Sequence, residues 1–267
     1  MADSYWSGLG VADGTTISTG NVNTAGNSDA GAHSHSVAYA VSGTPTAIYA
    51  RPAAPAGPGI SVDSPAASIA RLDLTQVSAR GGACQVIYTP SAAPTTADAT
   101  IILARNNAAT PGNMAVVVHS FTGNNLQFRT AGGTTPVTNG TTPTITAGHT
   151  LQIDIIVDLS ATPTTANGRI IGRVKNLSSS TWNTTGEFYV DTGYTVDAST
   201  GPQVATWRVG KVNNPSIQAQ TYYTGIRWGE RTALSTATTP VTTVKAQFIQ
   251  AASAVPAGWT EVRLFSR

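Results

Sequence analysis

Short apolar segments that alternate with runs rich in threonine, alanine, glycine and proline are the feature that most limits how this chain can fold. Valine and isoleucine concentrate in blocks such as "LQIDIIVDLS" and "RIIGRVKN", and runs such as "TPSAAPTTADAT" and "LSATPTTANG" separate the blocks. β-Branched residues favour strands, and runs of this composition favour turns. No segment shows the apolar spacing of an amphipathic helix. With 40% hydrophobic residues the chain can bury a core, so the sequence predicts an all-β protein.

The number of strand-like segments suits a two-sheet antiparallel sandwich of the jelly-roll type. Residues 1–66 are rich in glycine and proline and are predicted to supply edge strands and loops of the sandwich. Residues 67–231 carry clearer strands and are predicted to form its core. Residues 232–267 follow the expected closing strand and are predicted to form a C-terminal arm with strands of its own.

The segments "LQIDIIVDLS" and "RIIGRVKN" predict a hairpin with one apolar and one polar face. A register that matches the polar faces sets Asp154 opposite Arg173 and Asp158 opposite Arg169. The two aspartates could instead form an acid/base pair or a calcium site. Because cations lie so near them, cross-strand ion pairs are the preferred interpretation.

The stretch "TYYTGIRWGE" is compatible with a ligand platform or with a strand of the core. Strict alternation places Tyr222, Thr224, Ile226 and Trp228 on one face and Tyr223, Gly225, Arg227 and Gly229 on the other. The first face is continuously apolar, so a core strand with those aromatic side chains turned inward is predicted. The preceding segment "TWRVG" would pair with it, with Trp207 and Val209 on a shared face.

A strand ending in Val-Gly, a polar connection and a strand of the form Tyr-Tyr-x-x-Ile-Arg resembles the closing strands of concanavalin A-like (laminin-G-like) jelly-roll domains. Together with "GLGVADGTTISTGN" and the Thr/Ala/Gly-rich loops, it resembles minor tail and other virion proteins of bacteriophages infecting actinobacteria. Many relatives have aspartates where this chain has Thr224 and Gly225.

The resemblance implies a non-enzymatic structural protein of a phage particle, located in the virion and made in the cytoplasm of the bacterial host. A minor tail, tail-tip or fibre component is the first expectation. A capsid decoration protein and a carbohydrate-binding adhesin module are the alternatives. The implied partners are further copies of the chain in a homotrimer, other virion proteins and a host cell-surface glycan.

Catalytic patterns are missing from the sequence. The three glutamates, Glu187, Glu230 and Glu261, do not form the carboxylate cluster of glucanase jelly rolls, and Glu187 with Asp191 is the nearest approach. No nucleophile elbow, zinc-protease helix motif or phosphate-binding glycine loop is present. No enzymatic activity and no cofactor are therefore expected.

Charge and hydropathy argue against two classes of partner. Only 10% of the residues are charged and the net charge is +2, which gives no basic field for nucleic acid. No segment has the apolar length that spans a bilayer, and the first residues do not resemble a signal peptide. Neither nucleic acid nor a membrane is expected as a partner.

Few residues could bind a metal ion. The single cysteine, Cys84, excludes an internal disulfide and is predicted to be buried and inert. His33 and His35 in "HSH" would share one strand face, and phage fibres with such a repeat sometimes bind iron on a trimer axis. Two partly exposed histidines are the alternative. His119 and His149 are interpreted as sheet and turn residues without a partner.

Two further sets of residues were singled out for contacts with other molecules. Trp182 lies in a polar loop, where it could stack on a glycan ring or close a subunit interface. In the arm, the large apolar residues would be costly to leave in water. They are predicted to form the assembly interface and are Phe248, Ile249, Trp259, Val262, Leu264 and Phe265.

Overall fold

The computed structural model describes residues 3–65, 68–130, 135–136, 140–158, 169–179, 183–191, 203–213 and 217–231. Within them the chain forms one short 3-10 helix, Ala30–His33, and a series of strands. The strands are β1 Asp3–Trp6, β2 Ser36–Ser42, β3 Thr46–Ala50, β4 Gly59–Ser64, β5 Ile69–Ala79, β6 Gly81–Pro90, β7 Ala99–Asn106, β8 Asn113–His119, β9 Leu126–Thr130, β10 Leu151–Asp158, β11 Arg169–Asn176, β12 Asn183–Asp191, β13 Val204–Lys211 and β14 Gln218–Arg231. No helix in the described part of the chain is long and apolar enough to cross a membrane.

The strands form two antiparallel sheets that pack as a sandwich, which confirms the predicted fold class. The larger sheet has the order β12-β11-β10-β6-β14-β4-β3, and β1 also pairs with β14. The smaller sheet has the order β2-β5-β13-β7-β8-β9. Each sheet therefore has an inner face toward the shared core and an outer face away from it.

Along β10 and β11, alternate side chains point to the core and to the outer face, as the sequence predicts. Ile153 and Ile155 are fully buried in the core between the sheets. Asp154 pairs in register with Arg173, and Asp158 pairs with Arg169, so the predicted register is confirmed. The polar residues of this hairpin thus lie on the outer face of the larger sheet.

A bulge in β14 changes the faces that strict alternation assigns to its side chains. Gly225 has a φ of 55°, and the register with β6 shifts between Thr224 and Arg227. Beyond the bulge the alternation restarts, so Tyr223, Ile226 and Trp228 all point into the core. The prediction of a core strand is right, but Tyr222 and Tyr223 have exchanged faces. The predicted pairing of "TWRVG" with this strand is wrong, because β13 lies in the smaller sheet between β5 and β7.

Residues before β5 contain strands that sequence patterns did not reveal. β1 has only four residues, too few for a clear period of two, yet its Trp6 is fully buried and donates from Nε1 to the carbonyl of Val22 at 3.1 Å. β4 begins at Gly59, where a Cβ would lie 2.3 Å from the Tyr223 carbonyl oxygen. Glycine therefore allows β4 to lie directly against β14.

A buried chain of hydrogen bonds joins the two sheets through the core. Tyr223 donates to Gln218 at 3.3 Å, and Gln218 donates to the Tyr88 hydroxyl at 3.3 Å. The Tyr88 hydroxyl lies 2.7 Å from His119 Nδ1, and His119 Nε2 lies 2.9 Å from Asn124 Oδ1. Since an amide oxygen only accepts, Nε2 carries the ring proton and Tyr88 donates to Nδ1. His119 therefore has two partners, contrary to the expectation from sequence.

We expect the neutral state of His119 to make folding stability depend on pH. Burial lowers the pKa of His119 below the value of about 6.5 that it has in the unfolded chain. The contribution of neutral His119 to folding stability is therefore complete above about pH 6.5. It is lost as the pH falls through the lower pKa that His119 has in the folded protein. Urea unfolding between pH 7 and pH 5 should show a falling free energy of unfolding.

The variant His119→Phe should flatten this pH dependence and cost about 1–3 kcal/mol at pH 7, since it leaves the Tyr88 hydroxyl without its acceptor. The matched control is His149→Gln, because His149 lies outside the network and bonds to Asn176 at 3.1 Å. A wild-type pH slope in His119→Phe would contradict the assignment.

Candidate functional site

A row of polar side chains crosses the outer face of the larger sheet. The strand registers place Tyr5 opposite Arg227, Arg227 opposite Gln85, Gln85 opposite Asp154 and Asp154 opposite Arg173. Directly paired residues of antiparallel strands point to the same face. The five side chains of this row, contributed by β1, β14, β6, β10 and β11, therefore share one surface.

Asp154 is the fixed anion of the row. Its carboxylate is 3% exposed and accepts hydrogen bonds from Gln85 at 2.7 Å and from Arg173 at 2.6 and 3.0 Å. Gln152 adds a longer contact at 3.2 Å. A buried carboxylate that is satisfied in this way is a scaffold for its neighbours. It fixes the amide of Gln85, which is itself buried beside it.

Arg227 is the cation of the row with free donors. Its guanidinium is half-buried and, within the described part of the chain, makes no hydrogen bond and no ion pair. Burial lowers the pKa of Arg227, an effect partly offset by Asp3, Asp29 and Asp154. Arginine nevertheless remains charged at neutral pH. A desolvated guanidinium with unused donors is suited to bind an anionic ligand.

The three carboxylates near Arg227 are occupied by other donors. Asp3 forms an ion pair with Arg231, and Asp154 binds Arg173. Asp29 accepts a hydrogen bond from the backbone N–H of Tyr5 at 2.7 Å. These contacts balance the local charge but leave the Arg227 donors unused.

Tyr5 supplies a phenolic hydroxyl next to Arg227. Burial and the charge of Asp29 raise the pKa of Tyr5, so its hydroxyl is protonated at neutral pH. A protonated phenol can donate a hydrogen bond or a proton to a ligand oxygen.

Apolar residues divide the same face into a covered and an accessible part. Ala83, Ile156 and Ile171 form a buried cluster that is separate from the main core. Ile87 and Tyr222 are only half-buried. The accessible strip therefore runs along β14 and the adjoining parts of β1 and β6.

The histidines of "HSH" do not share a strand face. His33 ends the 3-10 helix, so the expected strand placement is wrong. The side chain of His35 is fully buried, with Nε2 at 2.7 Å from Glu230 Oε2 and Nδ1 at 2.7 Å from Ser4 Oγ. Both ring nitrogens thus have partners, and the two contacts link β1 to β14. Ser4 is 1% exposed, which keeps it from acting as a nucleophile on a dissolved substrate.

The other site residues predicted from the sequence are either buried or outside the described residues. Cys84 is buried, as predicted, and burial raises the pKa of its thiol. Trp182 and the proposed assembly residues in 232–267 lie outside the described residues. In the described part of the chain, no three His, Cys, Asp or Glu side chains are grouped closely enough to hold a metal ion.

Comparison with known proteins identifies likenesses of fold alone. No protein-family model and no curated protein sequence matches the chain. The alginate lyase Aly36B, solved as a mutant with an alginate trisaccharide, has a TM-score of 0.52 and 13% sequence identity to this chain. The match covers 86% of this chain and 98% of the lyase chain. The endo-β-1,4-glucuronan lyase from Trichoderma reesei has a TM-score of 0.46 and 10% identity, covering 72% of this chain and 90% of its own.

These likenesses contradict the functional prediction made from sequence. The solved structure that shares the sandwich with a TM-score of 0.52 is an alginate lyase, an enzyme, whereas a non-enzymatic virion component was expected. The loop and strand motifs that carried the virion resemblance are short and rich in common turn residues, so they also fit unrelated sandwiches.

Sequence reasoning missed Tyr5, Gln85 and Arg227 as site residues. Each is a lone polar or amphipathic residue between buried neighbours, as in "CQVIYT" and "GIRWGE". The sequence signal that could have indicated them is a polar residue at the outward position of an otherwise buried strand. Tyr5 could not be placed without β1, and Arg227 could be placed on the outer face only with the correct register.

We expect Arg173 to be required for the stability of this face. Arg173→Gln should lower the free energy of unfolding by about 1–3 kcal/mol, because the buried Asp154 carboxylate loses its charged donor. Urea unfolding at neutral pH would measure the effect. Calcium should not restore the loss, since Asp154 faces amide and guanidinium donors. Calcium rescue would instead support the metal-site alternative.

Proposed function

We propose that this protein binds an acidic polysaccharide across the outer face of the larger sheet, with Arg227 contacting a uronate carboxylate. The observation that carries the proposal is the half-buried Arg227 guanidinium, which has no hydrogen-bond acceptor within the described residues. A carboxylate can accept two parallel hydrogen bonds from a guanidinium. Such a ligand would use the donors that the protein itself leaves free.

The surroundings of Arg227 suit a sugar ring. Tyr5 flanks it in the row and can bond to a ring hydroxyl. Gln85, on the other side, is buried and supports the row from beneath. Ile87 and Tyr222 provide apolar and aromatic surface on the same face, against which a pyranose can pack. The accessible strip from β1 across β14 to β6 spans about 10 Å at the usual strand spacing, which is wide enough for a sugar ring.

The likeness of fold agrees with this class of ligand. The alginate lyase with a TM-score of 0.52 was solved with an alginate trisaccharide, and alginate is a polymer of uronic acids. At 13% identity the likeness supports a sandwich that can serve carbohydrate chemistry and identifies no residue of this chain. The assignment of Arg227 therefore rests on its own geometry.

We expect Arg227→Gln to weaken binding of alginate or polyglucuronate oligosaccharides by about tenfold or more, since a charge-assisted bond contributes about 1.5–3 kcal/mol. Arg227→Lys should recover part of the loss, because it keeps the charge without the planar fork. Isothermal titration would measure both. The matched control is Arg51→Gln, an exposed arginine that bonds to backbone carbonyls elsewhere. Wild-type affinity in Arg227→Gln would refute the proposal.

Cleavage of the bound chain by β-elimination is the second candidate function, and the position of Tyr5 beside Arg227 favours it. In this reaction the C5–H bond of the uronate breaks, a C4=C5 double bond forms and the C4–O bond breaks. A base takes the C5 proton, and the departing glycosidic oxygen receives a proton. Arg227 would stabilise the negative charge on the carboxylate, and the protonated Tyr5 would donate to the departing oxygen.

We expect Tyr5→Phe to lower kcat about 100-fold with little change in KM, because it removes the proton donor and leaves the carboxylate contact. Ultraviolet absorbance of the conjugated double bond would follow the reaction. Arg227→Gln should raise KM and also lower kcat, because Arg227 would both bind the carboxylate and stabilise its charge during the reaction. If the wild-type protein forms no unsaturated product, the lyase candidate is rejected while polysaccharide binding stands on its own test.

A further inference from the structure

Three arginines lie on a diagonal across the outer face of the smaller sheet. In the strand registers, Arg208 of β13 is opposite Asp73 of β5, and Arg71 is two residues before Asp73 on the same face. On the other side of β13, Arg105 of β7 is opposite Thr206. Arg71, Arg208 and Arg105 therefore come from three adjacent strands and occupy successive diagonal positions, which we call the arginine diagonal.

The arginine diagonal has more cations than carboxylates. Arg71 Nε bonds to Asp73 Oδ1 at 2.7 Å, and Arg208 Nε lies 3.3 Å from the same oxygen. Arg105 donates from its Nη2 to the carbonyl of Pro111. Two of the three guanidinium groups thus share one carboxylate and the third has none, which gives a formal local charge of +2 from these four side chains.

Two donors of the arginine diagonal are buried without an acceptor. Among the described residues, the Nε atoms of Arg105 and Arg208 are inaccessible to solvent and have no hydrogen-bond partner. The 3.3 Å contact of Arg208 with Asp73 is too poorly directed to be a hydrogen bond. Burial lowers the pKa of Arg208, Asp73 partly offsets this, and repulsion from Arg71 and Arg105 lowers the pKa further. An added anion would relieve this repulsion.

The neighbouring side chains leave room on one side and exclude water on the other. On the edge strand β2, Ala38 and Ala40 are the residues opposite Asp73 and Arg71. On β7, Leu103 is opposite Arg208 and is 5% exposed. Small side chains keep the approach open, and an apolar neighbour lowers the local polarity and strengthens an ionic contact.

The surface favours a polysaccharide over a single-stranded nucleic acid. Nucleic-acid grooves of that kind combine cations with aromatic side chains on which bases stack. The outward positions described for the strands of the smaller sheet carry arginine, small polar and aliphatic residues, and Tyr39, Trp207 and Phe128 all point into the core. Isolated anionic groups on a flexible chain match this pattern better than stacked bases.

We propose that the arginine diagonal is a second anion-binding site, which takes carboxylate or sulfate groups of an acidic polysaccharide on the face opposite Arg227. The choice of polysaccharide agrees with the proposed function, but the site rests on its own residues. One chain of the ligand, or two, could then contact both outer faces of the sandwich.

The test measures binding in an Arg227→Gln background, so that the affinity that remains reports the smaller sheet. The probes are alginate, which bears carboxylates, and dextran sulfate, with neutral dextran as the control and single-stranded DNA as the competing class. Arg105→Gln with Arg208→Gln should weaken binding of alginate and dextran sulfate about tenfold, which corresponds to about 1.4 kcal/mol. Arg105→Lys should retain part of the affinity, because the charge remains.

The variant Asp73→Asn distinguishes a binding site from a structural cluster by the direction in which the affinity changes. Removing the shared carboxylate raises the local charge and frees Arg71 and Arg208, so binding should tighten several-fold even if the variant is less stable. A merely structural cluster would instead lose affinity along with stability.

Unchanged binding in the Arg105→Gln, Arg208→Gln double variant, or weaker binding in Asp73→Asn, would overturn the proposal. Tighter binding of DNA than of both polysaccharides would replace the proposed ligand with nucleic acid. If Arg227→Gln alone changes nothing but the double variant abolishes binding, the proposed function of the larger sheet fails while the arginine diagonal stands.

Discussion

The bulge at Gly225 is the constraint on which both the core and the candidate site depend. β14 pairs with β6 along one side and with β4 and β1 along the other, so it links the halves of the larger sheet. The positive φ of 55° at Gly225 restarts the alternation within this strand. This positive φ favours glycine, and a Cβ at this position would also lie 2.8 Å from Ile87 Cδ1. One irregular residue therefore sends Tyr223, Ile226 and Trp228 inward and Arg227 outward.

The two sheets meet through one close apolar contact as well as through the buried hydrogen bonds of His119. Gly172 of β11 faces the ring of Phe128 from β9, and a Cβ at Gly172 would lie 2.3 Å from that ring. The missing side chain lets an aromatic ring of the smaller sheet pack against the backbone of the larger one. Because protein interiors pack densely, such contacts hold the outer faces of both sheets in fixed positions, as a binding row of several strands requires.

The sequence was sufficient for the fold class and for the register of β10 with β11, but not for the partner of β14 or for the site. Alternation in "LQIDIIVDLS" determines which side chains are buried, and charge pairing then predicts Asp154 opposite Arg173, as observed. The site depends on contacts between distant strands: Arg227 lies beside Tyr5 only because β1 pairs with β14. Neither that pairing nor the bulge is visible in a pattern of residue types, because both depend on tertiary packing.

The distribution of charge determines how a chain of low net charge would attract the proposed anionic ligands. A net charge of +2 with 10% charged residues provides little long-range attraction. Attraction must then be local, from guanidinium groups such as Arg227 and Arg208 that the sheets hold partly out of water. Buried contacts of this kind are screened less by salt than exposed ones. Specificity would accordingly come from the fixed spacing of donors along the strands, and affinity from the few donors that the protein leaves unpaired.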